Sequence, residues 1–298
     1  DAWVYNFSKV AVERNVSSMI RVFNEHVEMV RSKRITEENL QDRIENDPTK
    51  ISWSGDLKAE LLRGRSYSLH EAGTITIAVY RPFVKEWVYF SKVFANRVYL
   101  LPQIYPEPGI DNISIVVRGL GSVKAFSVLV TSVIPDYELL AHAQAFPMYT
   151  YEPADSARAF DLSGNPVRVT ALSGKSYIRR ENITDWALAE YRKRYGKAVT
   201  KEDIFYYVYG LLHSPDYRER YKNDLKKSLP RIPFVASAED FWAFSQAGRR
   251  LADLHLYYET VEPWPLEEKV QGNVHTQDPF DLYRVRKKIG RASCRERV

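Results

Sequence analysis

The sequence predicts an α+β fold: N-terminal helices, a central antiparallel or mixed β-sheet, and a C-terminal helical bundle of about four helices. Three observations carry this. Apolar residues between Ser8 and Ser32 recur at helical spacing. From about Ser66 to Tyr151, short β-branched and aromatic segments are separated by Pro, Gly and Asn, with no long helical pattern between them. Beyond residue 175 the pattern is helical again, with caps and stops at the boundaries. The expected divisions are 1–65 helical, 66–174 β-rich, 175–287 helical, and a separate tail at 288–298.

The first helix rests on Val10, Val16, Met19, Ile20, Val22 and Phe23. "TEENLQDRIEND" reads as a short polar helix capped by Thr36, with Glu37 and Glu38 in its first turn. "SGDLKAELLRG" reads as another, from Ser54 as cap to Gly64 as stop. The strands expected next are "TITIAVY", "EWVYFS", "RVYLLPQI", "ISIVVRG", "AFSVLVTSVI" and "AFPMYTYE". Pro82 falls between the first two and should end one ladder and turn the chain, with Phe83 and Trp87 packing inward. A polar link follows, roughly Pro153 to Gly174. The late helices are "ITDWALAEYRKRYG", "TKEDIFYYVYGLLHS" with a Thr200–Asp203 capping box, "SPDYRERYKNDLKKSLP" with Pro215 in its first turn, and "SAEDFWAFSQAGRRLADLHLYYE" with Ser237 and Asp240 in the capping relation.

Composition is that of a soluble globular protein, with 45% hydrophobic and 27% charged residues. The 20 Tyr suit either a tyrosine-rich core or a surface that stacks and hydrogen-bonds. The chain opens Asp-Ala-Trp without Met and is read as a piece of a longer protein. Its end, "KIGRASCRERV", has the appearance of a translated sequencing adapter and is set aside from fold reasoning. Setting it aside removes Cys294, the only cysteine, so disulfides and cysteine-based metal sites are excluded and a reducing cytoplasm is expected. Lys288, Arg291, Arg295 and Arg297 against Glu296 account for three of the formal +5 charges, leaving two. A nucleic-acid argument must therefore rest on local patches. No apolar run approaches the roughly 18 residues that span a membrane.

Catalytic patterns are sparse. "VVRGLGSVK" follows a strand, but it lacks the third glycine of a dinucleotide fingerprint and the Gly-Lys-Ser/Thr of a phosphate loop. A strand follows it, so no helix N-terminus is there to hold phosphate. It reads as a tight turn in which Arg118, Ser122 and Lys124 can still meet a nucleic-acid backbone. Asp136 and Asp216 follow prolines as in some nucleases, without the acidic-x-Lys strand that metal catalysis needs. His26, His70, His142, His213, His255 and His275 are scattered, and each reads as a surface or helix-end residue. No G-x-S-x-G elbow occurs.

Basic and aromatic residues do interleave. Arg81, Lys85, Lys92 and Arg97 lie among Tyr80, Trp87, Tyr89 and Tyr99. Arg179 and Arg180 precede the first late helix, and Arg218 to Arg231 adds further charge. Such residues meet phosphates, and planar donors can read base edges; the alternative is a set of solvated faces.

Several strings resemble the C-terminal target-recognition part of type ISP restriction-modification enzymes, in the same order. They are "DAWVYNFS", "YRPFVKEWVYFS", "RGLGSVKAFSVLVTSVIPD", "AQAFPMYTYE", "ENITDWALAEYRKRYG", "DIFYYVYGLLHSPDYRERY", "LKKSLPRIP" and "FWAFSQAGRRLADLHLYYETVEPWPL". Val84 and Glu86 depart from the pattern after Tyr-Arg-Pro-Phe, and Ala145 stands where relatives carry Cys. The resemblance implies sequence-specific recognition of double-stranded DNA, within a parent that carries a nuclease, a helicase-like translocase and an adenine-N6 methyltransferase. Residues 1–65 would then connect to the methyltransferase core. S-adenosylmethionine, ATP and Mg would belong to the parent; no cofactor, metal or catalytic residue is expected in this stretch. The candidate DNA-contacting residues are Arg81, Lys85, Lys92, Arg118, Gly119, Gly121, Ser122, Lys124, Gln144, Arg179 and Arg180. Lys124 suits phosphate, and Arg118 and Gln144 suit base edges. A different reading is a coupling module that holds the parent's domains together without reading bases.

Overall fold

In the computed structural model, residues 3–96, 98–122, 124–155 and 167–265 are described. Arg97, part of the expected link, His275 and the adapter-like tail lie outside them.

Helix α1 (Lys9–Arg31) starts where the Ser8 hydroxyl accepts the Ala11 N–H. Its stripe of Val12, Val16, Met19, Ile20, Phe23 and Val27 is fully buried. The expected polar helix shrinks to α2 (Leu40–Arg43). Asn39, not Thr36, supplies the local bond: its side chain accepts the Thr36 N–H at 2.8 Å, a turn that competes with helix. Helix α3 (Gly55–Leu62) is capped by Ser54, and Gly64 then takes φ 67°; α4 (Leu69–Ala72) carries a Ser68–Glu71 capping box.

The predicted central sheet is three small sheets. In the first, β1 (Tyr5–Asn6), β3 (Val84–Ser91), β2 (Gly73–Arg81) and β6 (Ile134–Pro135) lie in that order, with β6 parallel to β2. Pro82 and Phe83 are the turn of the β2–β3 hairpin, with Phe83 at φ 61°. This explains the proline: it sits at the reversal, outside the ladder. One face of the sheet packs on α1 through Tyr89, Ile75 and the half-buried Trp87. "RVYLLPQI" is not a strand. Tyr99 is left-handed (φ 43°), and α5 (Leu101–Ile104) takes Pro102 into its first turn, where its missing N–H costs nothing.

The second sheet is β5 (Val128–Thr131), β4 (Ser114–Val117) and β7 (Gln144–Pro147); the third is β8 (Tyr149–Pro153), β10 (Ser176–Glu181) and β9 (Val167–Thr170). Met148 passes the chain from one to the other, its N–H bonded to Ile113 and its carbonyl to Asn182. Strand β9 occupies residues expected to form a polar link.

Helices α7 (Lys201–His213) and α9 (Ala238–Leu256) have the expected Thr200 and Ser237 caps, and α6 (Asp185–Tyr195) is capped by Thr184. A bundle of four is not what they form. α7 and α9 cross tightly at Gly210 and Gly248 and share a core with Ile115, Val117, Val128 and Val130 of the second sheet. α8 (Pro215–Arg220) is only six residues, and the basic stretch beyond it continues in turns. No helix among the described residues is long and apolar enough to cross a membrane.

Much of the tyrosine is core. Tyr191, Tyr195 and Tyr207 gather around Phe241. The hydroxyls of Tyr217, Tyr207 and Tyr195 donate to the carbonyls of Arg231, Pro233 and Val235, so an extended strap is held at every second residue. Each of these three rings buries its body and satisfies its polar end.

His213 and His255 lie in the last turns of α7 and α9, as expected of helix-end residues. His26, by contrast, is buried within α1, its Nδ1 2.7 Å from the Val22 carbonyl oxygen and its Nε2 accepting the Glu45 N–H at 2.9 Å. Tyr209 bonds His255, and Arg218 lies 3.3 Å from the His213 Nδ1, whose Nε2 has no partner among the described residues. Burial, then Arg218 and His255, push His213 down to about 4. Its proton is thus bound more strongly in the unfolded chain between about 6.5 and 4, so stability is full above that window and falls as pH drops through it. After discounting for solvent screening, the loss should be on the order of 2 kcal/mol. Urea unfolding of wild type and His213→Gln at pH 7 and pH 4.5 checks this; the variant should lack that part of the pH dependence.

Candidate nucleic-acid interface

The turn after β4 is built from beneath. Arg118 is 3% exposed, and its guanidinium donates to the carbonyls of Ser122 (2.9 Å), Lys124 and Leu225 (2.8 Å). It was expected to read bases, but in this conformation it has no surface to offer one. Gly119 bonds Ala141 and lies so close that a Cβ would come within 1.9 Å of the His142 carbonyl oxygen. Gly121 is left-handed at φ 79°, which glycine adopts freely. The Ser122 hydroxyl accepts the Lys124 N–H at 3.2 Å, and the Lys124 side chain is exposed.

Gln144 opens β7 opposite Val117. Its side chain has no hydrogen bond among the described residues and faces a cavity of about 500 Å³. The same cavity is lined by Arg81, Asp136 and Tyr137. Arg81 donates to Asp136 at 2.9 Å and stacks 3.9 Å over the Tyr80 ring. Burial, with Asp136 adding, pushes the Tyr5 hydroxyl far up. Burial likewise raises Glu86, with Arg81 opposing and Asp136 adding.

The rim was missed in the sequence. Tyr99, Ala141 and His142 are all left-handed, and Tyr137 stacks on His142 at 5.2 Å and meets Tyr99 at 6.4 Å. Each such residue costs about 1–2 kcal/mol, and strain of this kind gathers at functional sites. Tyr99 and Leu100 are 69% and 64% exposed beside it. Tyr and Ala carry no sequence signal for this conformation, and His only the weak preference it shares with Asn and Asp.

The structure therefore holds Ser122 and Lys124 in one turn over Arg118, sets Gly119 of that turn against Ala141 and His142, and places Gln144 and Arg81 on one cavity. The other candidates lie on different elements. Lys85 bonds Glu259 at 2.6 Å and lies over Tyr258, where Phe83 also packs, itself 43% exposed rather than turned inward. Its charge is spent within the chain. Lys92 is exposed on a separate cleft of about 760 Å³. Arg179 lies over the Tyr149 ring at 4.3 Å, and Arg180 is 3.5 Å from Glu152. Among the described residues no group of three or more His, Cys, Asp or Glu could hold a metal ion.

Over residues 1–291 the chain matches the Type ISP C-terminal specificity domain, and it belongs to that family. The match passes residue 288, where the adapter-like tail was expected to begin. Among solved structures, the chain is similar to the DrdV–DNA complex determined by cryoEM, at 30% identity and a TM-score of 0.73, covering 93% of this chain and 24% of that one. A nuclease-deletion mutant of the Type ISP restriction-modification enzyme LlaGI, in complex with a DNA substrate mimic, matches at 33% identity and 0.70, covering 89% and 22%. The ATP-dependent Type ISP restriction-modification enzyme LlaBIII bound to DNA matches at 30% and 0.69, covering 91% and 16%. The chain thus spans a quarter or less of these proteins. None of the curated proteins compared matches it.

Proposed function

We propose that this chain reads a specific sequence in double-stranded DNA for a Type ISP restriction-modification enzyme. In this reading it positions an adenine-N6 methyltransferase and informs a linked translocase and nuclease. S-adenosylmethionine, ATP and Mg serve those other parts. The observation that carries the reading is the likeness, over about nine-tenths of the chain, to three proteins described as bound to DNA. The interface supports it. A rigid turn offers the exposed Lys124 to phosphate, while the unbonded Gln144 amide and the half-exposed Arg81 fork can meet base edges.

Mobility shifts of the 298-residue chain on random-sequence duplex, at low and moderate salt, test this. Retention at low salt that weakens steeply with salt is expected. A coupling module would retain no duplex at either salt, and that result would sink the reading. Lys124→Ala should weaken binding similarly on every sequence and lower the salt slope by about one.

A further inference from the structure

The strings that carry the family resemblance stop at Glu152 and resume at Glu181. The described part of that interval is a β-ribbon. Alternation along its strands divides its side chains between two faces. Tyr151, Val169, Ala171 and Tyr177 pack on Ile110 as a small core. The opposite face carries Arg168, Thr170, Ser176, Ile178, Arg180 and Glu152: Ile178 pairs with Arg168 on one side and Glu152 on the other, and Ser176 pairs with Thr170. The Thr170 and Ser176 hydroxyls lie 3.3 Å apart. Arg168, on the edge strand β9, is exposed and has no partner among the described residues.

The ribbon is fixed at its tip. Glu107, whose side chain is only 13% exposed, accepts from the Ser173 hydroxyl, from the Lys175 Nζ at 2.8 Å and from the Tyr177 hydroxyl at 2.9 Å. Burial works against its charge, yet the three donors outweigh it and hold the carboxyl below its usual range. Beyond this clamp Leu172 projects 91% exposed. A face with two arginines against one glutamate favours a polyanion. β9 and β10 are the outer pair of this three-stranded sheet, with β9 at its edge. A pair of strands fits the major groove of duplex DNA, and one that is already ordered loses little freedom on docking there.

We propose that this ribbon is a base-reading element: β9 enters the major groove, Arg168 donates to the paired O6 and N7 acceptors of a guanine, and the Thr170 and Ser176 hydroxyls meet the adjacent base pair. This rests on the duplex reading proposed above and adds the element and the base. Glu107 is a positioning residue. The preferred sequence is first selected by the wild-type chain from random duplexes at low salt. Arg168→Ala is then measured on that sequence, on single-pair substitutions and on a scrambled duplex, with thermal melting as the check on folding. Loss of roughly tenfold on the preferred sequence, no change on the scrambled one and lost preference at one G·C pair are expected. Replacing that guanine by 7-deazaguanine should weaken wild type and leave Arg168→Ala unmoved. Arg168→Lys should keep affinity for all duplexes but not the guanine preference. Equal loss on every sequence would make Arg168 a phosphate contact and overturn the proposal. So would an unchanged preference in both Arg168→Ala and Thr170→Ala, with DNA reading by the chain left standing. A wild-type chain that retains no duplex overturns both.

Discussion

Gly248→Ala is expected to lower unfolding stability by about 3 kcal/mol, the cost of forcing extra volume into a packed seam where backbone cannot yield. A Cβ at Gly248 would stand 2.0 Å from the Tyr206 carbonyl oxygen and 2.8 Å from the Gly210 nitrogen. The converse holds at Gly210, where a Cβ would come within 2.4 Å of the Phe244 carbonyl oxygen. These are main-chain atoms, so no side chain can swing aside and α7 must move away from α9. That movement opens the largest core among the described residues, which holds Tyr207, Phe241 and Ala252 at 0% exposure. Alanine does favour helix over glycine by about 1 kcal/mol, which offsets part of the cost. Urea and thermal unfolding measure the result. Gly55→Ala is the control, since nothing lies within 4 Å of its Cβ, and it should be neutral or slightly stabilising. A Gly248→Ala protein within 1 kcal/mol of wild type would mean that the helices do not meet this closely.

The legible parts of the fold are those whose signal and effect lie within a few residues. Ser8, Ser54, Thr184, Thr200 and Ser237 each accept an N–H three positions on, so type and spacing alone locate the helix starts. Pro82 marks the hairpin for the same reason, since a residue without an N–H leaves the ladder. The errors are non-local or compete with a local rule. "RVYLLPQI" has strand composition, but Pro102 suits a first helical turn and Tyr99 breaks the extended run. "VRVT" does alternate, yet it sits among turn residues and is short, so only its pairing with β10 reveals a strand. "AFPMYTYE" serves two sheets because Met148, between β7 and β8, bonds to Ile113 on one side and Asn182 on the other, which no window of sequence displays.

The same division runs through the candidate site. The Gly119 to Lys124 turn was visible in its glycines. What supports it was not, because the Leu225 carbonyl lies 107 residues from Arg118. Lys85 read as a free surface cation because its partner Glu259 is 174 residues away. Residue type shows what a side chain can donate; only the fold shows which donations are already taken.

Arg118→Ala is the second large effect, and it separates support from reading. Its guanidinium makes three charge-assisted bonds to carbonyls, each worth roughly 1.5–3 kcal/mol in isolation but not additive. Against this, the Nε is already buried without a partner among the described residues, and its desolvation cost disappears with the side chain. The net loss should be about 3 kcal/mol, read as a fall in the urea midpoint with an unchanged slope. Three carbonyls, two of them in the turn, then lose their donor, so the Ser122–Lys124 backbone loosens. Duplex binding should weaken by a similar factor on preferred and scrambled sequences, because what is lost is the placement of Lys124 and not a base contact. Arg118→Lys, with a single ammonium in place of a fork, can reach fewer of these carbonyls and should fall between. The opposite pattern, full stability with affinity lost on the preferred sequence alone, would mean that the turn opens on DNA and releases Arg118 to a base.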